Sequence, residues 1–424
     1  MSEDRIALVK GEDRLLKILE KQGASYSQRI SSIEAWKKCP IPSRKDEYWK
    51  YTRVAPLLNR SYDVVLDNKP FTGSITKDED AYTLIFVDGH FAPELSDSIT
   101  EKGVEIGNLD AKPNLGLELK DFTNSKGDYF TLLNNSFYLD GPAIKIQDNC
   151  ELTKALHIVH VLSESDRLLN VRGSIELGKN CNAKVVERWV SQSANDNLIN
   201  TVMNLVVGND SSLEFTKIQA IGKENNLISQ EFALQESDSI LRINTISLEG
   251  KLIRNNCNVR LQGMGSECFL NGLFMGRDNQ HIDNHTFVDH AVPHCQSNEL
   301  YKGVMDDHSK GVFNGKVIVQ RDAQKTNAFQ YNGNILLSQN AQIYSKPELE
   351  IYADDVKCSH GSTTGQLDKE AMFYLQSRGI SAKRARQLMV YAFAKEVLEK
   401  ISLPAIREEL DRYLIDRYQI VLDT

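Results

Sequence analysis

Apolar and polar residues change rhythm twice along the chain. Near the N-terminus Leu15, Leu16, Ile18 and Leu19 form an apolar stripe between charges, and Ile33, Ala35 and Trp36 form a second, shorter one, which predicts helices. From Tyr82-Thr-Leu-Ile-Phe-Val87 onward the signal becomes short β-type runs closed by turn pairs such as Asp88-Gly89 and Asp140-Gly141. After Gly365 helical spacing returns. Asp368 is a candidate N-cap, Gly379 a stop, and Ser381 the cap of a longer helix with Ala385, Leu388, Met389, Ala392, Phe393 and Val397 inward. Pro404 opens a third helix, with Ile406, Leu410 and Leu414 inward.

Within the β-type region a unit recurs: an apolar residue, a polar or glycine turn, then an alternating strand. Its copies open at Ile146, Leu177, Val207, Leu234, Leu261, Val319 and Leu337, in steps of 31, 30, 27, 27, 58 and 18 residues. The long step is close to two ordinary ones. A regular step of strands and tight turns suggests stacked rungs, each burying its apolar edge on the next, as in a parallel β-solenoid. A β-sandwich would place turn signals about 8–12 residues apart. The expected organisation is mainly β, with an N-terminal helical region over 1–80, a parallel β-helix core over 81–355 and a C-terminal helical region over 356–424. The open ends of such a stack must be covered or paired, and the N-terminal helices are expected to cap one of them.

A length of 424 residues allows a sizeable core and two or three domains. The net charge of −8 argues against nucleic acid or an anionic membrane as the main partner. No apolar window reaches transmembrane length, and Met-Ser-Glu-Asp-Arg-Ile has no signal core, so a cytoplasmic protein is expected. The seven cysteines (Cys39, Cys150, Cys181, Cys257, Cys268, Cys295 and Cys358) are odd in number and form no Cys-x-x-Cys. Neither a disulfide framework nor a self-contained four-cysteine site is expected.

The candidate chemistry centres on Lys346–Gly365, where Cys358 and His360 lie two residues apart. On an extended strand both leave the same face, and a soft sulfur beside an imidazole suits iron or an iron–sulfur fragment. They are two ligands where a tetrahedral metal takes four, so another chain would supply the rest. The competing reading is a small buried thiol and a hydrogen-bonded turn histidine. The aromatics of Pro42-Ser-Arg-Lys-Asp-Glu-Tyr-Trp-Lys-Tyr-Thr52, beside Arg44 and Glu47, read as a clamp holding the helical segment onto the β-type region, or as a carbohydrate platform. His281, His285, His290 and His294, near Asp289 and Cys295, lack the glutamate of a zinc-protease motif. Strand residues four apart are roughly 13 Å apart, too far for one ion, so a structural or interfacial role is expected. Asp306-Asp307 and Asp354-Asp355 alternate sides of a strand and cannot jointly clasp a sugar bond. No phosphate-binding loop, nucleophile elbow or dinucleotide fingerprint is present, and nothing forces an enzymatic reading. Phe373, Tyr374 and Leu375 are either core or a docking surface.

Three stretches resemble the SufB/SufD family of iron–sulfur assembly proteins: Pro42–Thr52, Val312–Val319 with Lys325-Thr326, and the block Lys346–Gly379, which includes Phe373-Tyr-Leu-Gln-Ser-Arg-Gly379. The resemblance spans essentially the whole chain. It implies a right-handed parallel β-helix flanked by helical regions, and a non-enzymatic scaffold that pairs with SufB and binds the ATPase SufC through its C-terminal helices. Phe373, Tyr374, Leu375 and Arg378 are the implied ATPase-docking residues. The implied cofactor is a transient cluster built at the interface with SufB, with His360 as a ligand and Cys358 as an accessory candidate; none is expected to bind tightly to the isolated chain. Two departures favour the SufD branch. No cysteine stands near Tyr331-Asn-Gly-Asn334, where SufB carries its acceptor thiol, and His360 is followed by Gly361 where SufB has glutamate. Two rivals remain: a secreted carbohydrate-active β-helix enzyme and a homodimeric interaction module without a metal role.

Overall fold

The computed structural model describes residues 24–63, 71, 73, 75, 77–112, 115, 128–192 and 194–419, so the apolar stripe at residues 15–19 lies outside the described residues. Short alternating runs form strands, and polar corners send the chain back across the stack. Successive strands fall alternately into two sheets. Among the described residues, a ten-stranded sheet ends in His90–Phe91 and Lys357–Gly365, and a nine-stranded sheet in Val104–Asn108 and Gln342–Ile351. Pairing is parallel throughout, except where those two short N-terminal strands close the first coil antiparallel. This is a parallel β-solenoid with helices before and after it.

The corners explain the repeat. Asn149, Asn180, Asp210 and Asp238 have φ of 57°, 54°, 57° and 55°, the left-handed conformation that short polar side chains tolerate. Their amides bond the next coil: Asn149 N–H donates to Lys179 O at 2.8 Å, and Asn180 N–H to Asn209 O at 2.8 Å. Each corner is therefore one rung of a backbone ladder.

The register corrects the repeat in three places. The stacked neighbours are Ile146, Leu177, Val207, Gln235, Leu261, His290, Val319 and Ile351. Gln235, not Leu234, fills its rung, fully buried, its amide donating to Glu267 O at 3.0 Å. The 58-residue step hides a rung whose apolar place is taken by His290. Leu337 follows a strand of the other sheet, and the true next rung is Ile351. An apolar residue followed by a polar turn occurs at both corners of a coil, so that pattern alone does not tell them apart.

Helices cover both flanks. Ahead of the solenoid come α1 (Ala24–Lys38) and the single turn α2 (Ala55–Leu58), while α3 (Tyr129–Phe137) is inserted after its first strands. Ile33, Trp36, Trp49, Phe130 and Leu133 pack on Leu168, Leu198, Ile228 and Leu252 of the nine-stranded sheet. These helices lie along a flank rather than over an end, contrary to the capping expectation, because the apolar patch they need lies on that sheet's outer face.

The last strand carries the solenoid past residue 355 to Gly365, and the helices begin after the Asp368 cap: α4 (Lys369–Ser377), α5 (Ala382–Leu398) and α6 (Pro404–Tyr418). Val390, Ala394, Val397, Ile406, Leu410 and Leu414 pack on Val186, Ile218, Ile246 and Leu273 of the ten-stranded sheet. Burying each of the Val, Ile and Leu side chains is worth about 2 kcal/mol. Arg188 adds a two-pronged ion pair to Glu409, both contacts at 3.0 Å. Asp306-Asp307 and Asp354-Asp355 lie in the connections between strands, not in strands as expected. No described helix is long and apolar enough to cross a membrane.

Candidate functional site

Both sheets stop at the C-terminal end on a strand with one neighbour. Among the described residues, Gln342–Ile351 pairs with Lys310–Val319 alone, and Lys357–Gly365 with Asn327–Leu336 alone. In that last pairing Cys358 lies beside Ala328, His360 beside Gln330, Ser362 beside Asn332 and Thr364 beside Asn334. All four neighbours are buried, so this row faces the solenoid interior, and Cys358 and His360 leave the strand on one side as their spacing requires. With no further coil above them, His360 is exposed and Cys358 half-buried against the core. Burial pushes the Cys358 thiol up, which disfavours the thiolate that would bind a metal. Among the described residues no three His, Cys, Asp or Glu side chains come together as a metal site. Phe329, Tyr331, Ile351 and Tyr352 are exposed around the same end. Ser345 and Ser362 hydroxyls meet at 2.7 Å, tying the two terminal strands together.

The interior beneath His360 is polar. Gln330 is buried, and its amide makes no hydrogen bond of good geometry among the described residues, although it lies close enough to Glu299 to favour that carboxylate. A side chain at Gly315 would strike it, with a Cβ only 2.2 Å from Gln330 Nε2. One coil earlier Glu299 occupies the same column, buried, accepting from Thr286 Oγ1 at 2.6 Å. Burial pushes the Glu299 carboxyl up to about 7, against the pull of Thr286 and Gln330. Deeper still, Lys217 and Glu231 form an ion pair at 2.7 Å, each 1% exposed. Reading the sequence for apolar inward positions missed this whole set.

The Pro42–Thr52 segment is a clamp. Trp49 is buried, with the Arg254 guanidinium 3.8 Å from its ring centroid. Arg254 Nη1 reaches Asp283 Oδ2 at 2.5 Å, Thr52 donates to the same carboxylate, and His285 Nε2 lies 2.9 Å from Oδ1. Burial opposes the charge on Asp283, yet Arg254 and His285 hold its carboxyl well below the usual range. Tyr51 stacks on Tyr344 at 4.2 Å, and Glu47 pairs with Lys346 at 2.9 Å, joining the clamp to the last coil. Covered in this way, the Trp49 ring offers no face to a sugar.

The four histidines do not converge. His281 bonds Thr52 at 2.8 Å, His285 pairs with Asp283, and His294 turns a corner at φ 62°. His290 is fully buried, 2.8 Å from Ser297 Oγ, and burial lowers it to about 4.

Helix α4 buries none of its residues. Phe373 is 74% and Tyr374 58% exposed, Leu375 is half-buried, and the Arg378 guanidinium lies 5.3 Å from the Tyr374 ring centroid. Phe373 and Tyr374 are surface, not core.

Comparison with known proteins matches residues 160–393 to the SufBD core domain of the SUF system of FeS cluster assembly, and residues 18–158 to the SufBD protein N-terminal region. The chain belongs to the SufBD family. It is 29% identical over 410 residues to the iron–sulfur cluster assembly protein SufD of Escherichia coli, covering 93% of each chain. It is 28% identical to an iron–sulfur cluster assembly SufBD family protein of Synechocystis, over 95% of this chain and 92% of that one. A chloroplastic protein of Arabidopsis thaliana, ABCI7, is 29% identical over 90% of this chain and 83% of its own.

Proposed function

We propose that this chain is a SufD-type scaffold subunit of iron–sulfur cluster assembly, one that pairs with a SufB-type subunit and docks the ATPase SufC. The observation that carries the reading is His360 itself: an imidazole on a strand with a free edge among the described residues, in a column that the neighbouring coils bury at Gln330, Glu299, Leu270 and Ile243. A second solenoid adding its own terminal strands to these edges would bury His360 and bring thiolates to it. The nascent cluster is cargo, held jointly and passed on, with Cys358 as an accessory ligand. The names of the curated relatives support the assignment to iron–sulfur assembly. The exposed aromatics of α4 are the docking surface for SufC. Lys302, on a late coil, bonds Glu396 and Phe393 O of α5, so a pull on the helices would reach the open end. The working compartment is the cytoplasm, and the chain performs no catalytic step of its own.

The test is anaerobic co-expression with SufB and SufC, followed by measurement of bound iron and the visible absorption band of the purified complex. A His360→Ala complex of unchanged stoichiometry that has lost most of its band supports the ligand role; an undiminished band sinks it. If the three proteins do not copurify and the chain runs as a dimer of itself, the homodimeric module is the correct reading.

A further inference from the structure

The start of α6 meets the first coils of the solenoid in a cleft of about 600 Å³. Three features of this cleft point to an anion. The first is a fifteen-residue helix without a cap: Leu403 at the N-cap offers no side-chain acceptor, and Pro404 follows it. The first-turn N–H groups of Ala405 and Ile406 find no acceptor among the described residues, so the positive end of the helix faces the cleft. The second is His157 on the facing wall, 6% exposed and without a hydrogen bond among the described residues. Thr83, its neighbour in the strand pairing, has a buried hydroxyl without a partner among the described residues. Buried polar groups are rarely left unpaired, so the Thr83 hydroxyl marks a missing partner beside the His157 ring that lines the cleft. The third is Lys184, half-buried in the same lining and free of any ion pair among the described residues.

The remaining charges fix the class of ligand. Lys154 already donates to Glu79 O at 2.9 Å, while Asp78, Asp80 and Glu151 line the same cleft. Burial and then Arg188 lower the His157 pKa, with Asp78 and Glu409 opposing, so the ring enters as a neutral N–H donor. The volume lies in the range of small-molecule sites, roughly 300–1,000 Å³, and exceeds the needs of a bare ion.

We propose that this cleft binds a small phosphorylated compound, its phosphate held by the α6 N-terminus, His157 and Lys184, and its hydroxyl or amine groups by Asp78, Asp80 and Glu151. The site is independent of the terminal strand and of His360. Calorimetric titration of the full chain with inorganic phosphate, ADP, glucose 6-phosphate and adenosine tests it. Phosphate is expected to bind weakly, at least one phosphorylated probe more tightly, and adenosine not at all. Lys184→Gln should weaken the best probe about tenfold, as loss of a charged hydrogen bond implies. His157→Phe should do the same and His157→Gln, which keeps a donor, much less. Lys184 is only half-buried, so its variant keeps the test alive if His157→Phe does not fold. Adenosine binding as well as ADP, absence of binding by every phosphate-bearing probe, or an unchanged affinity in a folded Lys184→Gln protein would each overturn the proposal.

Discussion

His290 and Glu299 each stand where a neighbouring coil places an aliphatic side chain: His290 between Leu261 and Val319, Glu299 after Ile243 and Leu270. Their effects on stability run in opposite directions with pH. His290 is lowered to about 4 in the folded chain, so its contribution is intact above the unfolded imidazole pKa near 6.5 and is lost as pH falls toward 4. Glu299 is raised to about 7, so its contribution is intact below the unfolded carboxyl pKa near 4.3 and is lost as pH rises through 7. Each is worth about 3 kcal/mol across its window, at 1.36 kcal/mol per pKa unit. Urea unfolding of Glu299→Gln should therefore gain about 3 kcal/mol over wild type between pH 4.5 and pH 8. The His290→Gln difference should shift by a similar amount, in its favour, as pH falls from 7 toward 4. Curves that stay parallel to wild type would show that neither group is perturbed. His290 stood out in the sequence only as one of four clustered histidines, and Glu299 not at all, because a polar residue in an alternating run reads as outward. Lys217 shows what could have been noticed, as it lies two residues from Phe215 and so shares its inward face.

Among the elements, the clamp has the clearest energetics. Arg254→Ala leaves the buried Asp283 without its main counter-charge, a loss of about 3–5 kcal/mol for a broken buried pair. Protease digestion should then cut ahead of residue 60 while the solenoid strands stay protected; an unchanged digest would mean that apolar packing alone holds the segment. Helix α4 makes the opposite case, because Phe373 is so exposed that Phe373→Asp should leave thermal unfolding untouched while abolishing the proposed capture by SufC. The helix boundaries were legible from their caps: Asp368 accepts from Glu370 N–H at 2.8 Å, Ser381 from Arg384 N–H at 3.3 Å, and Gly379 has φ 87°. The inward face of α5 was less so. Ala392 is exposed and Val390 and Ala394 turn inward, since a helix rich in alanine carries no sharp apolar stripe.

At the scale of the whole molecule, the step of the repeat was legible because most coils turn on a left-handed corner that Asn, Asp or Gly marks, although His294 and Lys325 take that place in the late coils. The path of the N-terminal helices was not, since no local pattern says which flank of a solenoid is apolar. His360 was legible from its spacing to Cys358, but its exposure follows from the coil count alone. Tyr352→Glu, a change at a side chain 59% exposed beside the open end, should preserve the fold and weaken the proposed pairing with SufB, read as a shift toward single subunits in sedimentation. Sedimentation identical to wild type would place the contact elsewhere. The two ends of the stack are unlike. The N-terminal one finishes in short antiparallel strands, one of them only two residues long, while the C-terminal one is broad and accepting. In the pairing proposed above, joining mouth to mouth would use both broad ends at once, so growth would halt at a pair instead of continuing into a filament.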